Sequence, residues 1–278
     1  MEPMEGSNLM SSISLFAKRV LYYIKIWFMM SKNSLLGILV QRKILAIFLL
    51  GKILKSIFFT IFIYFLVTST GGLLNYSPNQ VIFFFFTFSS IDATAQFFFR
   101  EVYRFRPLVV SGDFDLILLK PFSGLFRVLL GGADFMDLVT LPFLYFATYY
   151  FGRLLNPTPT EILIYIALVM SSLVLASALH IIVLAFGIIS LEVDHIVMIY
   201  RDFTSMGRFP VDIYKQPLKE LLTYFVPVGI MMTTPAKALM GLLDIKGIVF
   251  AFAASAFFFV ASLKFWNFAL KRYTSASS

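Results

Sequence analysis

The sequence predicts an all-α membrane protein of six transmembrane helices, preceded by a basic helix that lies along the membrane interface. Three observations carry this. The chain is 59% hydrophobic with a mean hydropathy of +0.87, whereas a soluble domain is about 45–50% apolar. Several apolar runs approach the roughly 20 residues that a helix needs to cross a bilayer, and they are too long for transmembrane strands. Its 23 Lys and Arg residues, against 15 Asp and Glu, gather in short segments beside those runs, the pattern that holds a loop on the cytoplasmic side.

Composition also excludes. With no cysteine there is no disulfide, thiol nucleophile or thiolate metal site. The N-terminus has no short apolar core followed by a small-residue cleavage site, so no cleavable signal is expected. The net charge of +8 points to anionic lipid headgroups rather than nucleic acid, because the positive residues flank the spans and no aromatic-basic RNA motif is present.

Residues 1–8 are polar. Over 9–40, Lys18, Arg19, Lys25 and Lys32 interleave with Phe16, Tyr22, Ile26, Trp27 and Phe28, which reads as an interfacial helix. Lys52 and Lys55 interrupt the next apolar run. They set the first span at 56–74, with both lysines snorkelling to the inner interface. The second span, 80–99, is rich in Phe and contains Asp92. An acid inside a membrane is a functional-site hypothesis; the alternative is a hydrogen bond to a Thr or to Gln96 across the bundle.

A polar segment then runs R-E-V-Y-R-F-R-P-L-V-V-S-G-D-F-D-L-I-L-L-K-P-F-S-G-L-F-R over 100–127. Its charges predict a cytoplasmic loop. Pro107 should end any helix entering from upstream. Ser111-Gly112-Asp113 offers a turn and an N-cap. Phe114, Ile117 and Leu118 share one helical face, and Pro121 stops the helix. The expectation is a helix of about two turns along the membrane surface, either a connector or a docking element for a cytoplasmic partner.

The third span is expected at 128–151, with Gly131-Gly132 allowing close helix approach. Asp134 and Asp137 near its start are expected to pair with Arg127 or the basic loop. The fourth span, 160–189, carries His180, which is either a hydrogen-bonded helix contact or a pore-lining group. Glu192, Asp194 and His195 follow; they suggest a metal or acid–base site on paper and a short polar turn in practice. Over 210–243 the prolines 210, 217, 227 and 235 leave pieces too short to span. That leaves a re-entrant hairpin or a kinked span at 218–239. The last span is expected at 248–266, and the basic residues after it put both termini in the cytoplasm, which requires an even number of spans.

Two long gapped blocks resemble the ABC-2 type permease family, in the branch formerly known only as a domain of unknown function. In the first, Gly112, Asp115, Leu118, Lys120, Pro121, Leu125 and Phe126 follow the family's G-x-L-D-x-x-L-x-K-P and L-F, with Phe114 replacing the usual Leu. In the second, Arg208, Pro210, Ile213, Tyr214, Pro227 and Pro235 follow R-Y-P-x-x-I-Y, V-x-P and P-A, and the ending K-R-Y-T-S-A is similar as well. The resemblance covers nearly the whole chain. It implies a single permease domain over 1–278, with a cytoplasmic tail and interfacial helix at 1–43, a coupling loop at 100–127 and a re-entrant outer hairpin at 210–243. It implies a short fifth span at 195–209.

Functionally, the resemblance implies the permease subunit of an ATP-binding-cassette exporter in a bacterial inner membrane. ATP and Mg would be held by a separate ATPase subunit, since this chain has no G-x-x-x-x-G-K-[ST] loop. A second permease subunit, identical or not, would complete the path. ATPase contact is expected through Arg106, Gly112, Asp113, Phe114, Asp115, Leu118, Lys120 and Pro121, with the path near Asp92 and His180. Two rivals need no ATPase. One is an ion-driven secondary transporter using Asp92 and His180, although the inverted repeats of such folds are not visible. The other is a lipid-modifying enzyme built on Glu192, Asp194 and His195, which lacks a nucleophile motif.

Overall fold

The computed structural model describes residues 5–39, 42–69, 73, 76–190 and 193–274. Among them the regular structure is entirely helical. Helix α1 is Glu5–Leu39, α2 Arg42–Ser69 and α3 Pro78–Phe99. Ser77 caps α3 through a capping box, accepting from Gln80 N while the Gln80 side chain accepts from Ser77 N. A 3-10 turn, Arg100–Arg104, leads to α4 (Phe105–Val110), α5 (Asp113–Leu118) and α6 (Gly124–Leu130). Then come α7 (Phe135–Arg153), α8 (Pro159–Ser190), α9 (Val193–Met206), the short pieces α10 (Leu218–Glu220) and α11 (Thr234–Leu239), and finally α12 (Ile245–Lys271).

Among the described residues, four helical stretches are long and apolar enough to cross a membrane: Leu45–Ser69, Pro78–Val110, Pro159–Ser190 and Ile245–Lys271. A fifth is possible if the bent pair α6 and α7 counts as one span. The α3 and α8 stretches are mostly buried, whereas α2 and α12 expose most of their surface. Helices α3 and α7 are joined by hydroxyls in an otherwise apolar seam: Ser90 and Thr148 lie 2.8 Å apart, and Thr148 also donates to Phe86 O at 3.1 Å. Ser171 donates to Ser255 at 2.8 Å, joining α8 to α12. With no hydrophobic drive between helices in lipid, close packing and such bonds hold a bundle together.

Several expectations shift. The apolar helical stretch at the first expected span runs over Leu45–Ser69 rather than 56–74, and Lys52 within it has a partner: its ammonium meets Asp137 Oδ1 of α7 at 2.5 Å. Pro107 does not end the helix from upstream. The 3-10 turn resets the hydrogen-bond pattern, so Pro107 falls in the first turn of α4, where a missing N–H costs little. The third span does not run straight from 128. Helices α6 and α7 meet at 63° across Gly131-Gly132, and α1 seats on that break. A Cβ on Gly132 would lie 3.2 Å from Ser34 Cβ, and Ser31 Oγ accepts from Ala133 N at 3.1 Å. Asp134 pairs with Arg100 of the basic loop (3.4 Å), as one of the two expected alternatives has it, whereas Asp137 pairs with Lys52 of α2; Arg127 is held by Glu101 at 2.7 Å.

Helix α9 covers the expected fifth span but has only 14 residues, about 21 Å of helix against a hydrocarbon core of about 30 Å. After it the chain folds back on itself. Tyr214 OH donates to Met206 O at 2.9 Å, and Val211 N donates to Thr233 Oγ1 at 3.1 Å. One arm is α10 with a π-helical turn, Leu221–Phe225; the other is a π-helical turn, Gly229–Thr233, running into α11. Pro227 and Pro235 are buried. The arms lean on α9 at Gly207, where a Cβ would stand 2.8 Å from Val228 Cγ1 and 2.9 Å from Met232 Cγ. Only glycine permits that approach.

The mouth of this folded-back segment is clamped by charge. Asp212 accepts from Lys219 at 3.0 Å and pairs with Lys237, while Tyr76 donates to Asp212 Oδ2 at 3.3 Å. Burial raises the Asp212 carboxyl, but the two lysines outweigh it and hold it below the usual range; burial and this carboxylate push the Tyr76 phenol up to about 12. A carboxyl depressed by folding contributes stability that is present above its unfolded pKa and lost as pH falls through the folded one. Thermal unfolding should therefore show a stability loss below about pH 4 that Asp212→Asn removes, together with lower stability of that variant at neutral pH.

Candidate functional site: a clamped loop and a charged groove

Loop 100–127 is built from the inside. Phe114 is completely buried, with its ring 5.1 Å from Phe105, 6.3 Å from Trp266 and 5.2 Å from Tyr273. Ile117, one turn on, is buried as well. The first-turn geometry follows from Gly112, whose φ of +80° suits glycine, and from Ser111, whose Oγ donates to Asp113 Oδ2 at 2.7 Å. Helix α5 is thus pinned to the C-terminal end of α12. Burial and the Asp115 carboxylate push the Tyr273 phenol up to about 12, so the sequence block around 115 and the ending around 273 meet in space. Tyr23 of α1 buttresses the far side of the loop, accepting from Ser123 N at 3.2 Å and packing 4.7 Å from the Phe126 ring.

Phe114 is therefore an anchor, correcting the expectation that it shares an exposed apolar face with Leu118. With Phe114 and Ile117 turned inward, the outward apolar side chains are Val110 (59% exposed), Leu116 (61%), Leu118 (40%) and Leu119 (82%). Asp113, Lys120 and Pro121 are exposed beside them. Val110, Leu116 and Leu119 were not singled out by sequence reasoning. The i, i+3 spacing of Phe114 and Ile117 carried the signal, since Leu116 and Leu119 then fall on the opposite face. Arg106 reaches Asp194 of α9 at 3.1 Å, which ties the loop to the helix preceding the folded-back segment.

A second feature lies between α2, α3, α7 and α9. It is a groove of about 330 Å³ lined on α3 from Phe85 to Arg100, roughly 22 Å along that helix. Three ion pairs stand on its walls: Lys52 with Asp137, Arg100 with Asp134, and Arg201 with Asp92 at 3.6 Å. Asp92 thus faces the groove and takes an arginine that the sequence reading did not anticipate, in place of a Thr or Gln96. Lys55 and Arg208 also line the groove and pair with no carboxylate among the described residues.

His180 is not in this groove. It is wholly buried, with Nδ1 2.8 Å from Ala176 O and its ring packed on Phe99 and Tyr200. It is a hydrogen-bonded helix contact. Asp194 is held by Arg106, and His195 is exposed at the start of α9; Glu192 lies outside the described residues. Among the described residues no group of three His, Asp or Glu side chains could hold a metal ion.

Comparison with known proteins adds one finding. A family model described as "ABC-2 family transporter protein" matches residues 53–277, which includes the loop, most of the groove and the folded-back segment. Among curated proteins and solved structures, none matches. On a match over four-fifths of its length, the chain belongs to the ABC-2 family of transporter membrane proteins.

Proposed function

We propose that this chain is the permease subunit of an ATP-binding-cassette exporter, working with a second permease subunit and a separate ATPase that carries ATP and Mg. The observation that carries the reading is the rigid apolar surface at Val110, Leu116, Leu118 and Leu119. It stands on a loop locked to α1, α9 and α12 through Tyr23, Arg106 and Phe114. Exposed apolar patches rimmed by charge mark interaction sites, and a loop fixed at three points can transmit a push to the helices behind it. In this account Phe114 and Asp115 hold the loop, while Asp113, Leu118, Lys120 and Pro121 meet the partner.

The same reading counts six crossings. It takes the α6–α7 pair as the third and α9 as the short fifth, with 210–243 as a re-entrant hairpin on the outer side. The clamp of Asp212 on both Lys219 and Lys237 supports a hairpin, because it closes the segment on itself. The ion-driven alternative needs Asp92 and His180 on one path, and His180 is sealed in the core.

The test is purification of the tagged chain from native membranes in mild detergent. A soluble protein with a phosphate-binding loop should co-purify in stoichiometric amount. A chain that purifies alone and still moves a substrate in liposomes overturns the reading.

A further inference from the structure

We infer that the groove between α2, α3, α7 and α9 binds the anionic head of an amphiphile, a phosphate or carboxylate, with its apolar chain lying along the phenylalanine wall. The inference rests on the proposal that this chain forms a transport path, and names the class of molecule that path takes.

The argument begins with charge. Five cationic side chains line the groove against three carboxylates. The three carboxylates are each engaged by a cation, which leaves Lys55 and Arg208 over. Unpaired cations on an apolar wall are costly in a membrane, and such residues face cavities or pathways. Desolvation by a neutral ligand would raise that cost; an anion would offset it. Arg201 adds donor capacity. Its Nη1 is buried and makes no hydrogen bond among the described residues, and its 3.6 Å approach to Asp92 is too long for one. A guanidinium so placed suits a planar or tetrahedral oxyanion.

Shape gives the second half. Phe59, Phe85, Phe88 and Phe143 line the groove beside the charged groups. A free inorganic anion would have no use for that surface. An alkyl or aryl chain would bury apolar area on it, at roughly 25 cal/mol per Å². The excess of cations also argues against a cationic amphiphile of the same length, which would meet Lys55 and Arg208 with like charge.

The test uses the purified full-length chain in nanodiscs of phosphatidylcholine, without any ATPase, titrated calorimetrically with hexyl phosphate, hexyltrimethylammonium and inorganic phosphate. Hexyl phosphate should bind, more weakly as salt rises, and hexyltrimethylammonium should not. Lys55→Gln and Arg208→Gln should each weaken hexyl phosphate by roughly tenfold, the effect expected for a charge-assisted contact. Both side chains lack an ion-pair partner, so folding should survive their loss, and an unchanged melting temperature checks this. Inorganic phosphate binding as tightly as hexyl phosphate would assign the groove to a free anion and overturn the amphiphile. Equal binding of the cationic probe, or no effect of either substitution in a folded protein, would overturn the inference entirely. Because no ATPase is present, failure here leaves the exporter reading standing, and loss of the exporter reading would not erase measured binding.

Discussion

The double variant Leu116→Asp/Leu119→Asp is expected to abolish ATPase association while leaving the permease folded. Leu116 of α5 and Leu119 just beyond its end both project into open space, so their replacement removes little from the isolated chain, and its melting temperature should not move. In the proposed complex they form the centre of an apolar contact. Two carboxylates forced into such a contact without partners lose hydration and gain nothing in return. Central interface positions commonly carry 2 kcal/mol or more each, so the pair should weaken association by roughly a thousandfold. Measured by co-purification and by ATP hydrolysis of the reconstituted complex, the expected outcome is a permease without its partner. Lys120→Glu, at the rim, should act mainly on the salt dependence and rate of association. Unchanged co-purification of the double variant would remove α5 from the contact.

Phe114→Ala should have the largest effect on the permease itself. The ring fills a site among Phe105, Trp266 and Tyr273 with no exposure, and truncating a buried Phe costs about 3–5 kcal/mol. The loss is local in origin, because Phe114 joins the loop to the end of α12. Thermal unfolding should drop, and limited trypsin digestion should find Lys120 much sooner than in the wild type, since an unpinned α5 opens at low free energy. Phe114→Leu keeps most of the apolar contact and should retain both properties substantially. It is also the residue that the sequence resemblance would put there, which makes it a fair control for the anchor role. A Phe114→Ala protein with wild-type stability and protease resistance would contradict the anchoring.

The helical membrane class was legible because hydropathy is a property of composition, and composition survives any ignorance of packing. Helices α3, α8 and α12 lie where the second, fourth and last spans were expected, with ends that differ by at most five residues. The apolar stretch of α2 begins earlier than expected, because Lys52 reads as its inner boundary unless its partner is known, and Asp137 lies 85 positions away. A still longer separation in sequence hid Arg201 from Asp92. Pairings of this kind depend on which helices are neighbours, which periodicity does not report. The kink at Gly131-Gly132 was signalled as a site of close approach, but its angle depends on α1 seating there. In the loop, the periodicity of Phe114 and Ile117 was read correctly as an apolar face. Whether that face points to the core or to a partner is decided by Trp266 and Tyr273 at the other end of the chain. Motif blocks that look separate in the sequence, around 115 and around 273, turn out to form one contact.

The central claim is that a cytoplasmic ATPase sits on α5, and the chain's lack of cysteine allows a direct measurement. A single thiol introduced by Leu119→Cys, carrying a maleimide benzophenone, would be photolysed in native membranes and its adducts identified by mass spectrometry. The account predicts a covalent adduct with a protein that contains a phosphate-binding loop, absent when the thiol is instead placed at the exposed Phe65 of α2. Crosslinking only to lipid, or equal adduct from both positions, would contradict it.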